Sequence, residues 1–178
     1  MSAPIPWLVA ALLIVAIATD LRSRRIPNVL VALGLGLGLA GRLLDPGSPA
    51  GEALLTFVQG SGAGLLALMP LYLLRACGAG DVKLMAMVGG FVGPAVVLDA
   101  ALWTLVSGGV LSLVFMLGRG VARQTLENIR FLVTDLMVRT QGGERARLAP
   151  LATTAARLPY ALAIAAGTLV AVLRAGAV

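Results

Sequence analysis

Charged side chains are scarce in this sequence. Only 12% of the 178 residues are charged, whereas 59% are hydrophobic and the mean hydropathy is +0.97. A soluble domain of this size is usually about a quarter charged. Too few polar side chains are present to cover a water-soluble globule, so the composition predicts a protein that lies in a lipid bilayer. The length predicts a single membrane-embedded domain over residues 1–178.

Histidine is absent, and Cys77 is the only cysteine. A single cysteine excludes an intrachain disulfide, and without a CxxC pair no zinc ribbon can form. A Ser–His dyad, a Cys–His dyad and an HExxH zinc site all need imidazole, so these three chemistries are excluded as well. Lys83 and Ser61 could in principle form a Ser–Lys dyad, but Ser61 lies in the middle of a glycine-rich helical segment. Cys77 is interpreted as a structural residue.

Six apolar segments are predicted to form helices. A spanning helix needs about 20 largely apolar residues, which most of these segments approach. The first has no basic residue before Arg22, so it is interpreted as a retained helix and not as a cleaved signal peptide. The sequence therefore predicts an all-α integral membrane bundle of about six transmembrane helices, at about residues 4–19, 28–44, 53–74, 82–91, 95–117 and 158–173.

The basic residues predict the orientation of this bundle. If the N-terminus is outside, every Lys and Arg except Arg42 and Arg174 falls on the cytoplasmic side, as the positive-inside rule requires. The net charge of +6 is explained in this way, and no nucleic-acid partner is expected. An amphipathic stretch at about 119–156 is predicted to lie on the cytoplasmic surface, as an interfacial strap or as a substrate-docking element.

Glycines one helical turn apart predict faces at which helices pack closely. Gly34 and Gly38 form one such pair, and Gly60 and Gly64 form another.

Asp20 and Asp81 are the acidic residues that this topology brings to one end of the bundle, the cytoplasmic end. Carboxylates at membrane helix ends are costly and are candidates for function. Two structural explanations remain open: Asp81 could cap the following helix, and Asp20 could be a solvated helix end paired with Arg24. Two close carboxylates share a proton, so one can activate water while the other polarises an amide carbonyl, as in an aspartic protease. Gly78 and Gly80 would let a substrate backbone approach Asp81.

Three segments in order resemble type IV prepilin peptidases, which are GxGD membrane aspartic proteases. "GAGDVKLM" at 78–85 resembles the family's GxGD signature. "TDLRSRRIPN" at 19–28 resembles its first-aspartate segment, and "RLPYALAIAAG" at 157–167 resembles the Pro-Tyr segment that opens the last helix.

This resemblance implies a multi-pass aspartic endopeptidase of the bacterial inner membrane, with its active site facing the cytoplasm. Such enzymes remove the basic leader peptide from prepilins or pseudopilins, just before an apolar helix that can lie in the surrounding lipid. No metal or organic cofactor is required. Asp20 and Asp81 would be the catalytic pair, and the supporting residues would be Gly78, Gly80, Lys83, Pro27, Asn28, Pro159 and Tyr160.

The chain resembles the short form of this family, which is found with tight-adherence (Flp) pilus systems. It begins directly with a helix and has no CxxC pair, so methyltransferase activity is not expected. Two other functions remain open. A small membrane transporter could use the buried acids as an ion pathway, and a non-catalytic membrane scaffold could use both aspartates as capping residues.

Overall fold

The computed structural model describes residues 4–74, 76–118 and 160–176. Within these ranges the chain forms helices and no strands, which confirms the all-α prediction. The six helices are α1 (Pro4–Ser23), α2 (Asn28–Leu43), α3 (Ala50–Leu73), α4 (Ala79–Val92), α5 (Pro94–Gly118) and α6 (Tyr160–Gly176).

Two helix boundaries differ from the sequence prediction at the places that matter for the candidate site. Helix α1 continues to Ser23 and not only to about residue 19, so Asp20 lies inside its last turn. Helix α4 begins at Ala79 and not at about residue 82, so Asp81 lies inside its first turn. Polar residues at a helix end carry no apolar periodicity, so the sequence pattern ends too early for α1 and begins too late for α4.

Three of the described helices are long and apolar enough to cross a membrane, namely α1, α3 and α5. Helices α2 and α6 are shorter but also apolar. Helix α4 has 14 residues and is therefore about 21 Å long, which is less than the hydrocarbon thickness of a bilayer. These lengths agree with a helical membrane bundle.

The chain divides into two compact units. The first comprises residues 1–109 and 159–178, and the second comprises residues 110–158. In the second unit the structure describes only the end of α5, so the predicted amphipathic stretch at 119–156 lies outside the described residues. The single-domain organisation stays a prediction. The following description concerns the first unit.

Helix α4 is the most deeply buried helix of this unit. It packs against α1, α2, α3 and α6, and all its side chains from Val82 to Val92 except that of Lys83 are buried. Its contact with α3 is made through glycine. A Cβ atom added at Gly60 or Gly64 would collide with a backbone carbonyl of α4, that of Gly89 or Met85 respectively. The prediction of a close-packing face at Gly60 and Gly64 is confirmed.

The glycines of α2 also face α4. A Cβ atom at Gly34 would collide with the side chain of Met87, and one at Gly38 would lie 3.4 Å from the ring of Phe91. Both glycines are buried, so the second predicted packing face is confirmed.

The carboxyl end of α4 is held by an arginine from α2. Arg42 donates hydrogen bonds from Nε to the Gly90 carbonyl at 2.7 Å and from Nη2 to the Phe91 carbonyl at 2.9 Å. The last carbonyls of a helix have no partner within it, and a positive charge at that end also favours the helix dipole. Gly93 ends the helix with a φ of 85°, in the left-handed region that favours glycine. Arg42 thereby fixes the end of α4 that lies away from Asp81.

Candidate active site

Asp81 is the third residue of α4, and its carboxylate caps that helix. The backbone N–H of Gly78 donates a hydrogen bond to Asp81 Oδ2 at 2.8 Å, and the residue is 8% exposed. The first N–H groups of a helix lack partners within it, and an acidic side chain in the first turn also favours the helix dipole. The capping explanation considered from the sequence is therefore part of the geometry. It involves Oδ2 and leaves Oδ1 for a second task.

Asp20 lies in the last turn of α1 and accepts a hydrogen bond from another helix start. The backbone N–H of Ala161, in the first turn of α6, donates to Asp20 Oδ2 at 3.3 Å, and Asp20 is also 8% exposed. The N–H of Arg24 donates a hydrogen bond to the backbone carbonyl of Asp20 at 2.8 Å, and this bond does not involve the Asp20 carboxylate. Asp20 is buried against α6, which differs from the solvated helix end considered from the sequence.

The two carboxylates are brought near each other because α1 and α4 both pack against α6. Burial raises the pKa of Asp81 to about 6; the Gly78 N–H opposes this change, and the negative charge of Asp20 adds to it. Asp81 lies in the first turn of α4, outside the three helices long enough to span a membrane. A carboxyl group that keeps its proton above the usual carboxyl range, beside a second carboxylate, can serve in acid–base chemistry.

Two further polar groups surround the pair. Tyr160 begins α6, and its ring packs against α5, where a Cβ atom at Gly108 would lie 3.3 Å from the ring. The negative charge of Asp81 interacts electrostatically with both the Tyr160 hydroxyl and the Cys77 thiol. Burial and then Asp81 raise the pKa of Cys77 to about 11. The Cys77 thiol is therefore protonated near neutral pH, which agrees with its interpretation as a structural residue.

Gly80 has a packing contact that the sequence interpretation did not foresee. A Cβ atom at Gly80 would lie 3.2 Å from Cβ of Ile26, closer than most real contacts of this kind. The missing side chain of Gly80 therefore makes room for Ile26, in the loop between α1 and α2. Gly78 lies beside the Asp81 carboxylate: a Cβ atom added at Gly78 would be 3.4 Å from Oδ2 of Asp81. A role for Gly78 and Gly80 in substrate approach stays a prediction.

Lys83 and Asn28 contact each other. Lys83 Nζ donates a hydrogen bond to Asn28 Oδ1 at 3.1 Å, and both side chains are exposed. Asn28 is the first residue of α2. Pro27, at the N-cap position before it, has an extended conformation with φ −63° and ψ 132°. The structure thus links two of the predicted supporting residues directly.

Most of the predicted site residues lie at one end of the first unit, around the start of α4. Pro159 lies outside the described residues. Sequence reasoning did not identify the N–H of Ala161, because a main-chain donor has no residue signature. It also gave no role to Ile26, although this residue stands within the Ile-Pro-Asn segment. Among the described residues no group of three or more His, Cys, Asp or Glu side chains could hold a metal ion.

These features define a helical membrane protein with two buried carboxylates at one end of its bundle. The model of the type IV leader peptidase family matches residues 7–113, which include Asp20 and Asp81. This match covers more than half of the chain, so the chain belongs to the type IV leader peptidase family. The resemblance found in the sequence is confirmed. Comparisons with curated proteins and with solved structures gave no significant match.

Proposed function

We propose that the chain is a membrane aspartic endopeptidase that removes the basic leader peptide from Flp-type prepilins or pseudopilins. Membership of the leader peptidase family supports peptidase activity. The aspartic mechanism is supported by one observation above the others: Asp20 and Asp81, from different helices, are both buried and close enough for their charges to interact. The proposal includes no methyltransferase activity.

The proposed reaction uses a water molecule held between the two carboxyl groups. The ionised carboxylate takes a proton from this water, which attacks the carbonyl carbon of the scissile amide. The protonated carboxyl group donates its proton to the carbonyl oxygen, and a tetrahedral intermediate forms. Its collapse breaks the C–N bond and releases the leader, with a proton delivered to the departing amine. The proposal assigns neither aspartate a fixed role as acid or base.

The proposed site faces the cytoplasm at the bacterial inner membrane. The exposed Arg22, Arg24 and Arg25 follow Asp20 and support this orientation, because basic residues accumulate in cytoplasmic loops. The substrate's apolar helix would lie in the lipid beside the enzyme, with its leader in the cytoplasm. This arrangement would present the cleavage point at the level of the two carboxylates.

The test is cleavage of a co-expressed Flp-type prepilin by the wild type and by Asp20→Asn and Asp81→Asn, read as a gel shift. Asparagine still accepts a hydrogen bond from a backbone N–H, so the helix contacts of both residues can persist. We expect each variant to lose cleavage by about 100-fold or more, the usual contribution of a general acid or base. Asp99→Asn is the matched control, since Asp99 forms an exposed ion pair with Arg174 at 3.8 Å.

Membrane levels of all variants must match for this comparison. If either substituted protein is present at the normal level and still cleaves the prepilin, that aspartate is not catalytic. Because both carboxylates accept backbone hydrogen bonds at helix starts, retained cleavage in both variants would leave them as capping residues and assign the peptidase chemistry to other groups. Absence of cleavage by the wild type itself would favour the scaffold function.

A further inference from the structure

Lys83 and Asp81 stand two residues apart on α4 and therefore point to different sides of the helix. Asp81 is buried, whereas Lys83 is exposed. The groups that shift the pKa of Asp81 are the surrounding protein, the Gly78 N–H and Asp20, and Lys83 is not among them. The Lys83 side chain therefore has different surroundings from the Asp81 carboxylate.

The partner of Lys83 is Asn28, at 3.1 Å. These residues are 55 positions apart in the chain, so the bond joins the start of α2 to the first turns of α4. A second contact lies beside it, because Ile26 packs against Gly80, the residue before Asp81. The two contacts therefore connect the α1–α2 loop and the first residue of α2 to the part of α4 that contains Asp81.

The α1–α2 loop is continuous with the end of α1 that contains Asp20. It begins directly after the last turn of α1, and Arg24 adopts a φ of 51°, which is uncommon for a residue other than glycine. The N–H of Arg24 bonds to the Asp20 carbonyl in the i to i−4 pattern of a helix, so the loop leads directly out of the turn that contains Asp20. A movement of this loop relative to α4 would change the separation of the two carboxylates.

Resting on the function proposed above, we propose that Lys83 and Asn28 form a positioning pair that fixes the α1–α2 loop against α4 and thereby the spacing between Asp20 and Asp81. The pair does not contact the reacting atoms. Its loss should lower kcat, which depends on that spacing, and leave KM largely unchanged.

A double-mutant cycle tests this pair. Purified full-length enzyme in detergent is assayed on a prepilin peptide as wild type, Lys83→Met, Asn28→Ala and the double variant. We expect each single change to lower kcat about threefold to tenfold, the usual effect of one hydrogen bond. The double variant should be no worse than the poorer single variant. Arg22→Met is the control, since it removes an exposed positive charge at the same end of the bundle.

Rescue separates positioning from a general structural effect. Asn28→Asp keeps an oxygen acceptor for Lys83 and should retain kcat within about twofold of wild type. The same change in the Lys83→Met background should not restore activity. The pH profile of kcat adds a second readout: loss of the shared bond should affect Lys83→Met and Asn28→Ala alike, whereas a direct charge effect of Lys83 would alter the profile of Lys83→Met alone.

Additive losses in the cycle, a defect confined to Lys83→Met, or unchanged kcat in both single variants would each overturn the positioning pair. If the thermal midpoint of Lys83→Met or Asn28→Ala falls strongly, a second pair of substitutions that removes the bond, Lys83→Ala and Asn28→Ser, decides the question by the same criteria. Asp20→Asn and Asp81→Asn are measured in the same assay. Their inactivity, together with an additive cycle, would reject the positioning pair and leave the proposed function standing.

Discussion

The Cys77 thiol is a natural reporter at the residue scale. It is the only sulfhydryl group in the chain, it is half-buried, and Asp81 lies close enough to influence its ionisation. Its thiolate is disfavoured first by burial and then by the negative charge of Asp81. Alkylation of Cys77 therefore measures the electrostatic environment of the candidate site without a substrate.

We expect Cys77 to react slowly with a neutral alkylating reagent such as iodoacetamide, with an apparent pKa near 11. Since only the thiolate reacts, the rate should rise about tenfold per pH unit between pH 8 and 10. Asp81→Asn removes a negative charge that opposes the thiolate, so it should lower the pKa and raise the rate at pH 8. The measurement is the rate of label incorporation followed by mass spectrometry.

Glu52→Gln is the control for this measurement. It removes the same charge from the first turn of α3, at the other end of that helix from Cys77. An equal acceleration in Glu52→Gln, or no acceleration in Asp81→Asn, would contradict the electrostatic link between Cys77 and Asp81.

Helix α4 is the element on which the candidate site depends. Its amino end contains Asp81, its carboxyl end is held by Arg42, and its sides contact four other helices. The contact with α3 is so close that backbone meets backbone at Gly60. The position of Asp81 is therefore set by packing along the whole helix as well as by the turn before it.

Gly60→Ala should destabilise the α3–α4 contact strongly. The added Cβ would collide with the Gly89 carbonyl, and a backbone atom cannot move aside as the end of a side chain can. We expect a loss of about 1–3 kcal/mol, the usual cost of overpacking. Thermal unfolding in detergent, followed by circular dichroism, measures this loss.

Gly62→Ala is the matched control on the same helix. A Cβ at Gly62 meets nothing within 4 Å, and alanine favours helix by up to about 1 kcal/mol. Its thermal midpoint should be unchanged or higher. Equal destabilisation by the two substitutions would show that the backbone contact at Gly60 does not limit stability.

Orientation belongs to the scale of the whole molecule. The exposed arginines after Asp20 stand at one end of α1. The loop between α2 and α3 lies one helix further along the chain and contains the exposed Ser48. If α2 crosses the bilayer, these two loops must face opposite sides of the membrane.

Single cysteines test this orientation. In a Cys77→Ser background, Ser23→Cys should react with a membrane-impermeant maleimide only in inside-out vesicles, and Ser48→Cys only in right-side-out vesicles. Both serines are exposed, so burial does not limit the reaction. The reverse pattern would place Asp20 and Asp81 outside the cytoplasm, where they could not meet a cytoplasmic leader. Labelling of both cysteines from one side would mean that α2 does not cross the bilayer.

The sequence by itself determined the helices, because each is an apolar segment bounded by Pro, Gly or charged residues. It also singled out Asp20 and Asp81, since acids are costly in so apolar a chain. The packing glycines were recognisable from their spacing of one helical turn. These features are local, and local patterns can be recognised along a single stretch of chain.

Tertiary structure alone decided which groups meet. The partner of Lys83 is Asn28, 55 residues away, and the donor to Asp20 is the backbone of Ala161, 141 residues away. Gly80 makes room for Ile26, and Arg42 caps α4. Such pairs depend on how helices pack against one another, and a hydrophobic pattern states only which face is buried, not what lies against it.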